Sequence, residues 1–193
     1  LSRALHVVGV GGTTRAESGT ELAVRHVLRL CQARHATTRL FSGAELGSLP
    51  HYSPEHRERV PAARALVEEL RRADAVVLGS SAYHGSISGL VKNAIDYTQD
   101  MMDDDRPYLS GRPVGCIATG AGWQGVVTTL EHLRAIVHAL RGWPTPLGVA
   151  INTRERAFGP TGEPLDPQLE TQLGTMADEL LAFVSRWQAS GSE

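Results

Sequence analysis

Apolar and polar positions alternate between two periods along the chain. Leu5-His-Val-Val-Gly-Val10 is an apolar run of strand length, and Val24, Val27, Leu28 and Cys31 then recur at the three- and four-residue spacing of a helix. Thr37–Phe41 alternates weakly, the pattern of a half-exposed edge strand. Pro61 suits the first turn of a helix whose apolar face is Ala63, Leu66, Val67 and Leu70. Ala75–Gly79 predicts a third strand, Gly89–Thr98 a helix and Val114–Ala118 a fourth strand. Val126, Leu130, Leu133, Val137 and Leu140 then form the cleanest helical stripe, and Leu147–Ile151 predicts a fifth strand. Asp166-Pro167 opens a last helix, a capping residue followed by proline at the first helical position. That helix is expected to bury Leu169, Leu173, Met176, Leu180, Phe183 and Trp187.

Five strands alternating with five helices predict an α/β fold: a parallel sheet covered on both faces and joined by right-handed crossovers. No repeat or linker divides the 193 residues, so 1–193 is expected to be one domain. Three stretches are long for plain connections, Ser42–Val60, Gln99–Arg112 and Asn152–Pro164. Such loops often serve as lids or contact surfaces.

Composition narrows the partners. The hydrophobic share of 41% and the charged share of 21% are ordinary for a globular chain. A net charge of −2, from 19 basic and 21 acidic residues, gives no electrostatic reason to expect nucleic acid or an anionic membrane. No apolar run approaches the ~20 residues needed to span a bilayer, and no charged-then-apolar leader precedes Leu5. Cys31 and Cys116 cannot build a disulfide framework or a CxxC zinc site. Each sits in an apolar pattern, as expected of a small core residue in a reducing cytoplasm.

Two loops carry candidate chemistry. Gly11–Ser18 lies between the first strand and first helix, where backbone N–H groups and the helix dipole favour an anion. Thr13, Ser18 and Thr20 add hydroxyls and Arg15 a permanent cation, while the P-loop lysine is absent. That set suits a terminal monophosphate better than a triphosphate. The segment Ser80–Asp96 follows the third strand, and Tyr83, His84 and Gly85 at its start suit a flat polar ring at the sheet's carboxyl edge.

Gly120-Ala-Gly-Trp-Gln-Gly125 spells the dinucleotide fingerprint but follows the fourth strand, and no acidic residue ends the next strand. Close backbone approach to a ring held by the earlier loop explains it better. Trp123 can stack on that ring, cover it, or sit at a subunit contact. Likewise His84 can donate to a ring oxygen or simply line the pocket. Lys92 and Asp96, four apart on one helix, fit a surface ion pair or a subunit interface. Asp103-Asp-Asp105 has no histidine partners and fits a solvated turn, so no metal is expected. No GxSxG elbow or hydrolytic triad is present, which leaves the chemistry to a cofactor.

These residues resemble the NADPH-dependent FMN reductase family, a flavodoxin-like group, from about Leu5 to Ile151. The resemblance is carried by Gly12, Thr13, Arg15 and Ser18; by Tyr83, His84, Gly85 and Ser86; and by Val91, Lys92, Asn93, Ile95 and Asp96. Gly120–Gly125 followed by Leu133-Arg134 is similar to the family's third flavin loop. It implies a flavodoxin-like three-layer sandwich with a five-stranded parallel sheet in order 2-1-3-4-5, binding FMN between strands one and three. Thr13, Arg15, Ser18 and Thr20 would hold the phosphate. Ser81, Ala82, Tyr83, His84 and Gly85 would follow the ring edge, with Thr119, Gly120, Gly122 and Trp123 from the third loop.

The resemblance also implies a homodimer or homotetramer through helix 89–98. NADPH or NADH would be the co-substrate, passing a hydride to flavin N5, with free flavin, a quinone or another small acceptor to follow. No side chain is assigned as acid or base. The chain departs from the family at Ser81-Ala82, His84 and Ser88. The altered Ser81–His84 stretch and the His51-Tyr52 loop motivate a second reading, oxidation of a small cyclic biosynthetic intermediate by the bound FMN. A third, a non-enzymatic electron carrier, lacks the acidity such carriers need for docking.

Overall fold

Three of the expected strands meet at the centre of one sheet. In a computed structural model, which describes residues 3–190, β1 (His6–Gly11) runs parallel to β2 (Thr37–Phe41) on one side and to β3 (Ala75–Tyr83) on the other. β3 pairs in parallel with β5 (Pro113–Gly120), and a short β4 (Ser86–Ile87) folds back antiparallel on the end of β3. Two short strands, β6 (Trp143–Pro144) and β7 (Val149–Asn152), both pair in parallel with β5. The helices are α1 (Gly19–Ala33), α2 (Gly43–Gly47), α3 (Pro61–Arg72), α4 (Gly89–Asp96), α5 (Trp123–Ala139) and α6 (Pro167–Ser190), with a 3-10 turn at Tyr97–Met101.

The expected order 2-1-3-4-5 is recovered, but the sheet has seven strands rather than five. The fifth position is split, and the sequence run Leu147–Ile151 enters the sheet only at Val149. Its start is held off by other partners: the Leu147 N–H donates to Glu179 Oε2 of α6 at 3.1 Å, and Arg134 donates to the Thr145 carbonyl at 2.8 Å. The third strand also runs past Gly79 to Tyr83, because its ladder with β5 continues to Ser81 opposite Thr119. A five-residue helix, α2, lies inside the stretch expected as loop at 42–60.

Alternation along the strands divides the core into two. Val8, Val10, Val76, Leu78, Val114 and Cys116 face α3, α4 and α5. Val7, Ala75, Val77 and Ile117 face α1 and α6, meeting Val24, Leu28, Leu173, Met176 and Leu180. Burying a side chain of this size contributes roughly 1.5–3 kcal/mol, so both sheet faces are committed and only the edges remain for function. Phe183 is half-buried and Trp187 exposed, in an aromatic cluster with Trp143 at the opposite end of the sheet from the carboxyl edge. Among the described residues no helix is long and apolar enough to cross a membrane.

Candidate functional site

Close packing of α1 on the sheet brings its first turn over the carboxyl ends of β1, β3 and β5. Gly79 makes that approach possible: a Cβ there would lie 2.4 Å from Val24 Cγ2 and 3.2 Å from Thr20 Cγ2. Thr20, 1% exposed, therefore sits against the strand ends. Its Oγ1 is 2.6 Å from Thr119 Oγ1 and 2.9 Å from Ser81 Oγ. Three hydroxyls joined by two hydrogen bonds use two protons, which leaves the third to point elsewhere.

In front of this chain lies a cleft of roughly 900 Å³. Its floor carries Thr20, Ser81, Ala82, Thr119 and Gly120, its near wall is the loop Thr13–Gly19, and its far wall is the segment Thr153–Gly162. The far wall is a folded loop. Gly159 N–H bonds the Glu163 carbonyl at 2.8 Å, Leu165 N–H bonds the Ala157 carbonyl at 2.9 Å, and Phe158 is buried beneath. Arg29 of α1 donates to the Gly162 carbonyl at 2.7 Å, tying this wall to the helix behind the site.

The four expected anion contacts do different things. Ser18 caps α1, accepting from the Glu21 N–H at 3.3 Å, and its own proton stays available. The N–H groups of Gly19 and Thr20 have no intrahelical carbonyl to reach, so α1 presents donors and a positive dipole end to the cleft. Arg15 is exposed, and among the described residues nothing engages its guanidinium. Thr13 instead shapes the loop: its Oγ1 donates to the Arg15 carbonyl and accepts the Arg15 N–H, both at 3.2 Å. Thr20 is buried behind, in the hydroxyl chain.

Tyr83 lines the cleft edge, but His84 and Gly85 lie outside its lining. Both have positive φ, 51° and 79°, at the centre of the two-residue turn between β3 and β4. That is the signature of a type I′ hairpin turn, where glycine is favoured at the second position. The expected loop is thus a hairpin, with Tyr83 and His84 exposed near its tip. Gly122 and Trp123 also lie outside the cleft lining. Gly122 precedes α5 with φ 155°, and Trp123 is the helix's first residue, 59% exposed. The His51-Tyr52 segment is remote in role: Tyr52 packs edge-on against Tyr97, and its N–H bonds Asn93 Oδ1 at 2.8 Å.

Three contributors escaped the sequence pattern. Glu21, buried in the first turn of α1, pairs with Arg25 and accepts the Gly43 N–H at 3.4 Å. Gly43, at the start of α2, lies so close that a Cβ would fall 1.8 Å from the Thr13 carbonyl oxygen. Arg25 joins Arg15 and Arg156 in the cleft lining, facing Glu17 and Glu155. Ser42-Gly-Ala-Glu45 would have revealed α2, since it is a capping box with both reciprocal bonds formed. The helix face expected at a subunit interface carries the Lys92–Asp96 ion pair at 2.6 Å, while Asn93 and Tyr97 hold the Pro50 carbonyl of the preceding loop.

A cleft at the carboxyl edge beside β1 and β3 is where doubly wound folds of this strand order bind a mononucleotide. Comparison with known proteins agrees. The chain is 33% identical over 124 residues to an FMN-dependent NADPH-azoreductase of Staphylococcus aureus, covering 62% of this chain and 61% of that protein. The match thus spans under two thirds of the relative's length. In fold the chain is similar to NADH:FMN oxidoreductase (EMOB), with a TM-score of 0.71, 16% identity and coverage of 95% and 90% of the two chains. It is also similar to the NAD(P)H:(acceptor) oxidoreductase FerB of Paracoccus denitrificans, with a TM-score of 0.69, 19% identity and coverage of 95% and 98%. The family model for NADPH-dependent FMN reductase matches residues 5–155, which include the α1 loop, the β3–β4 hairpin and the β5–α5 turn, and the chain belongs to that family.

Proposed function

We propose that this chain is an FMN-dependent oxidoreductase using NADPH or NADH, and that the cleft between Thr13–Gly19 and Thr153–Gly162 holds the FMN. The observation that carries the reading is the convergence of the first-turn N–H groups of Gly19 and Thr20, a free Arg15 and a hydroxyl chain with one spare proton at the switch between β1 and β3. These donors fit the group from end to end. The first turn of α1, the Ser18 hydroxyl and Arg15 suit a phosphomonoester, and Ser81 and Thr119 suit the polar chain and ring edge beyond it.

When bound, FMN supplies a ring that takes a hydride from the nicotinamide at N5 and passes electrons to a second, small-molecule substrate. The protein's own part is to hold that ring in place and to shape the approach. Arg15 and the α1 dipole neutralise the phosphate. The Thr20–Ser81–Thr119 chain fixes three elements of the floor relative to one another, and Tyr83 borders the open side. No side chain on the floor is a strong acid or base, which suits hydride transfer.

We place the protein in the cytoplasm as a homo-oligomer built from one flavodoxin-like domain. The role of helix 89–98 in that contact is tested by the particle mass in solution after Lys92→Glu, which should fall towards that of one chain; an unchanged mass removes the helix from the contact. To test the main reading, purified protein is loaded with FMN and mixed with NADPH or NADH without oxygen. Bleaching of the flavin band is expected, and Arg15→Ala is expected to release FMN more readily. A protein that takes up no FMN, or whose FMN affinity ignores Arg15, overturns it.

A further inference from the structure

The far wall of the cleft is a strap with two fixed ends and a separate tip. It leaves β7 with the Thr153 N–H on the Gly120 carbonyl at 2.8 Å, and its neck is closed by the Leu165 N–H on the Ala157 carbonyl at 2.9 Å, beside the buried Phe158. Beyond the neck, residues 159–163 form a turn held by its own bonds. The Gly159 N–H reaches the Glu163 carbonyl at 2.8 Å, the Gly162 N–H the Gly159 carbonyl at 3.1 Å, and the Thr161 N–H Glu163 Oε2 at 3.1 Å. Glycines stand at 159 and 162, the second with φ 78°, so backbone rotation on either side of the turn meets little steric resistance.

Two residues of α1 meet this tip. Leu22 and Arg29 are seven apart and share one face of the helix. Leu22 Cδ2 packs on Gly162, 3.1 Å from where a Cβ would stand. Arg29 donates to the Gly162 carbonyl at 2.7 Å and to the Thr161 carbonyl at 3.3 Å. Arg29 is exposed, so water can replace either carbonyl and the contact can open. A charged donor on such an acceptor shifts an opening equilibrium on the order of tenfold.

Arg29 does not line the cleft, whereas Pro160, Thr161 and Gly162 do, opposite Arg15 and Ser18. Its effect on the cleft therefore passes through the tip. The opposite wall is pinned, because Gly43 packs directly on the Thr13 carbonyl. The tip is the side that can yield.

We propose that Arg29 is a positioning residue that latches this tip over the α1 end of the cleft and so sets the rate at which FMN enters and leaves. FMN then stays with the protein as a resident cofactor and does not exchange in each turnover. The proposal rests on the FMN reading of the cleft.

A latch that holds a closed state slows association and release together, whereas a direct contact to FMN slows release alone. Association is followed by flavin fluorescence on mixing apoprotein with FMN, and release on diluting the holoprotein. Arg29→Met should raise both rates about tenfold or more, with Kd changing less than either. Arg29→Lys should recover part of the effect. Gly162→Ala, which pushes the tip off Leu22 and strains its backbone, should act in the same direction as Arg29→Met. A rise in only one rate for Arg29→Met, or in neither, overturns the proposal.

Release from the parent should also be slower than reduction of its bound flavin by NADPH or NADH, whichever is faster; release as fast as that reduction overturns the resident role. A protein that takes up no FMN defeats the parent reading instead. The latch is then read without flavin: trypsin should cut after Arg156 sooner in Arg29→Met than in the parent, with the circular dichroism unchanged, and equal cutting overturns it.

Discussion

The hydroxyl of Thr20, on the first turn of α1, lies 2.6 Å from the hydroxyl of Thr119 at the end of β5, a contact across 99 residues of sequence. With Ser81 at 2.9 Å it fastens one helix and two strands at the point where the cleft opens. Position here comes from side-chain hydrogen bonds, because the backbone ladder between β3 and β5 is at its end.

Thr20→Val should therefore weaken the protein itself. The substitution keeps the shape but leaves two partners without their shared atom, one of them the buried Thr119. A loss of about 1–3 kcal/mol is expected from urea denaturation, with Thr20→Ser recovering most of it. An unchanged midpoint would mean that the three hydroxyls do not tie these elements together.

Gly43→Ala should damage the site more than the fold. The new methyl would fall 1.8 Å from the Thr13 carbonyl oxygen, and since that atom is backbone, the loop must move. A shift of about 1 Å in a binding loop is enough to cost on the order of a hundredfold in function. Stopped-flow release of FMN should be much faster in the variant while the thermal midpoint changes modestly; equal release rates would dismiss the contact.

The strands, the helices and the apolar face of each were legible because apolar runs of period two and stripes of period 3.6 are local signals, whereas the order of the strands came from the family resemblance. Leu169, Leu173, Met176 and Leu180 are buried as their spacing implies. What sequence concealed depends on long-range pairing. Whether His84-Gly85 is a loop or a hairpin tip turns on Ala82 finding Ile87 and Tyr83 finding Ser86. The fifth strand splits because Leu147 is drawn to Glu179, a residue 32 positions away. In the site, hydroxyl-rich and glycine-rich spacing located the α1 loop. It did not distinguish Arg15 and Ser18, with free donors, from Thr13 and Thr20, whose hydroxyls are engaged.

Acid should loosen the 50–60 segment through Asp100. Arg59 donates to both of its carboxylate oxygens, at 2.7 and 2.8 Å, and that hydrogen bonding holds the carboxyl below its usual range against partial burial. In the unfolded chain it titrates near the ordinary ~3.9. A depressed folded value means that the ionised form favours the fold. The contribution is whole above the unfolded value and is lost as pH falls through the folded one. Stability measured from pH 6 down to pH 3 should fall more steeply in the parent than in Asp100→Asn, and parallel curves would remove Asp100 from the account.

Neither cysteine should behave as a redox sensor. Burial pushes the Cys31 thiol up to about 11 and the Cys116 thiol up to about 12, so neither is a thiolate at neutral pH. They face opposite sides of the sheet. Native protein at pH 7.5 should react with a thiol reagent only as fast as it unfolds, and denatured protein should react at both positions. Prompt modification of the native state would contradict this burial.

Arg112 is the sharpest test of how the 102–112 segment is held. Its guanidinium is buried, 1% exposed, and among the described residues no carboxylate pairs with it. It donates instead to carbonyls on two sides: Ala73 at 3.1 Å and Arg71 at 2.8 Å from the end of α3, and Tyr108 at 3.2 Å and Ser110 at 3.3 Å from its own loop. Burial lowers the guanidinium pKa to about 10, which still leaves it charged at neutral pH. Arg112→Met strands several buried carbonyls at once and should cost about 3 kcal/mol or more. Arg112→Lys should fail nearly as badly, because a single ammonium cannot reach both sides as the planar fork does. Trypsin should then cut after Arg106 sooner in both variants than in the parent, and a Lys variant as stable and as resistant as the parent would mean that charge alone, without the fork, holds the segment.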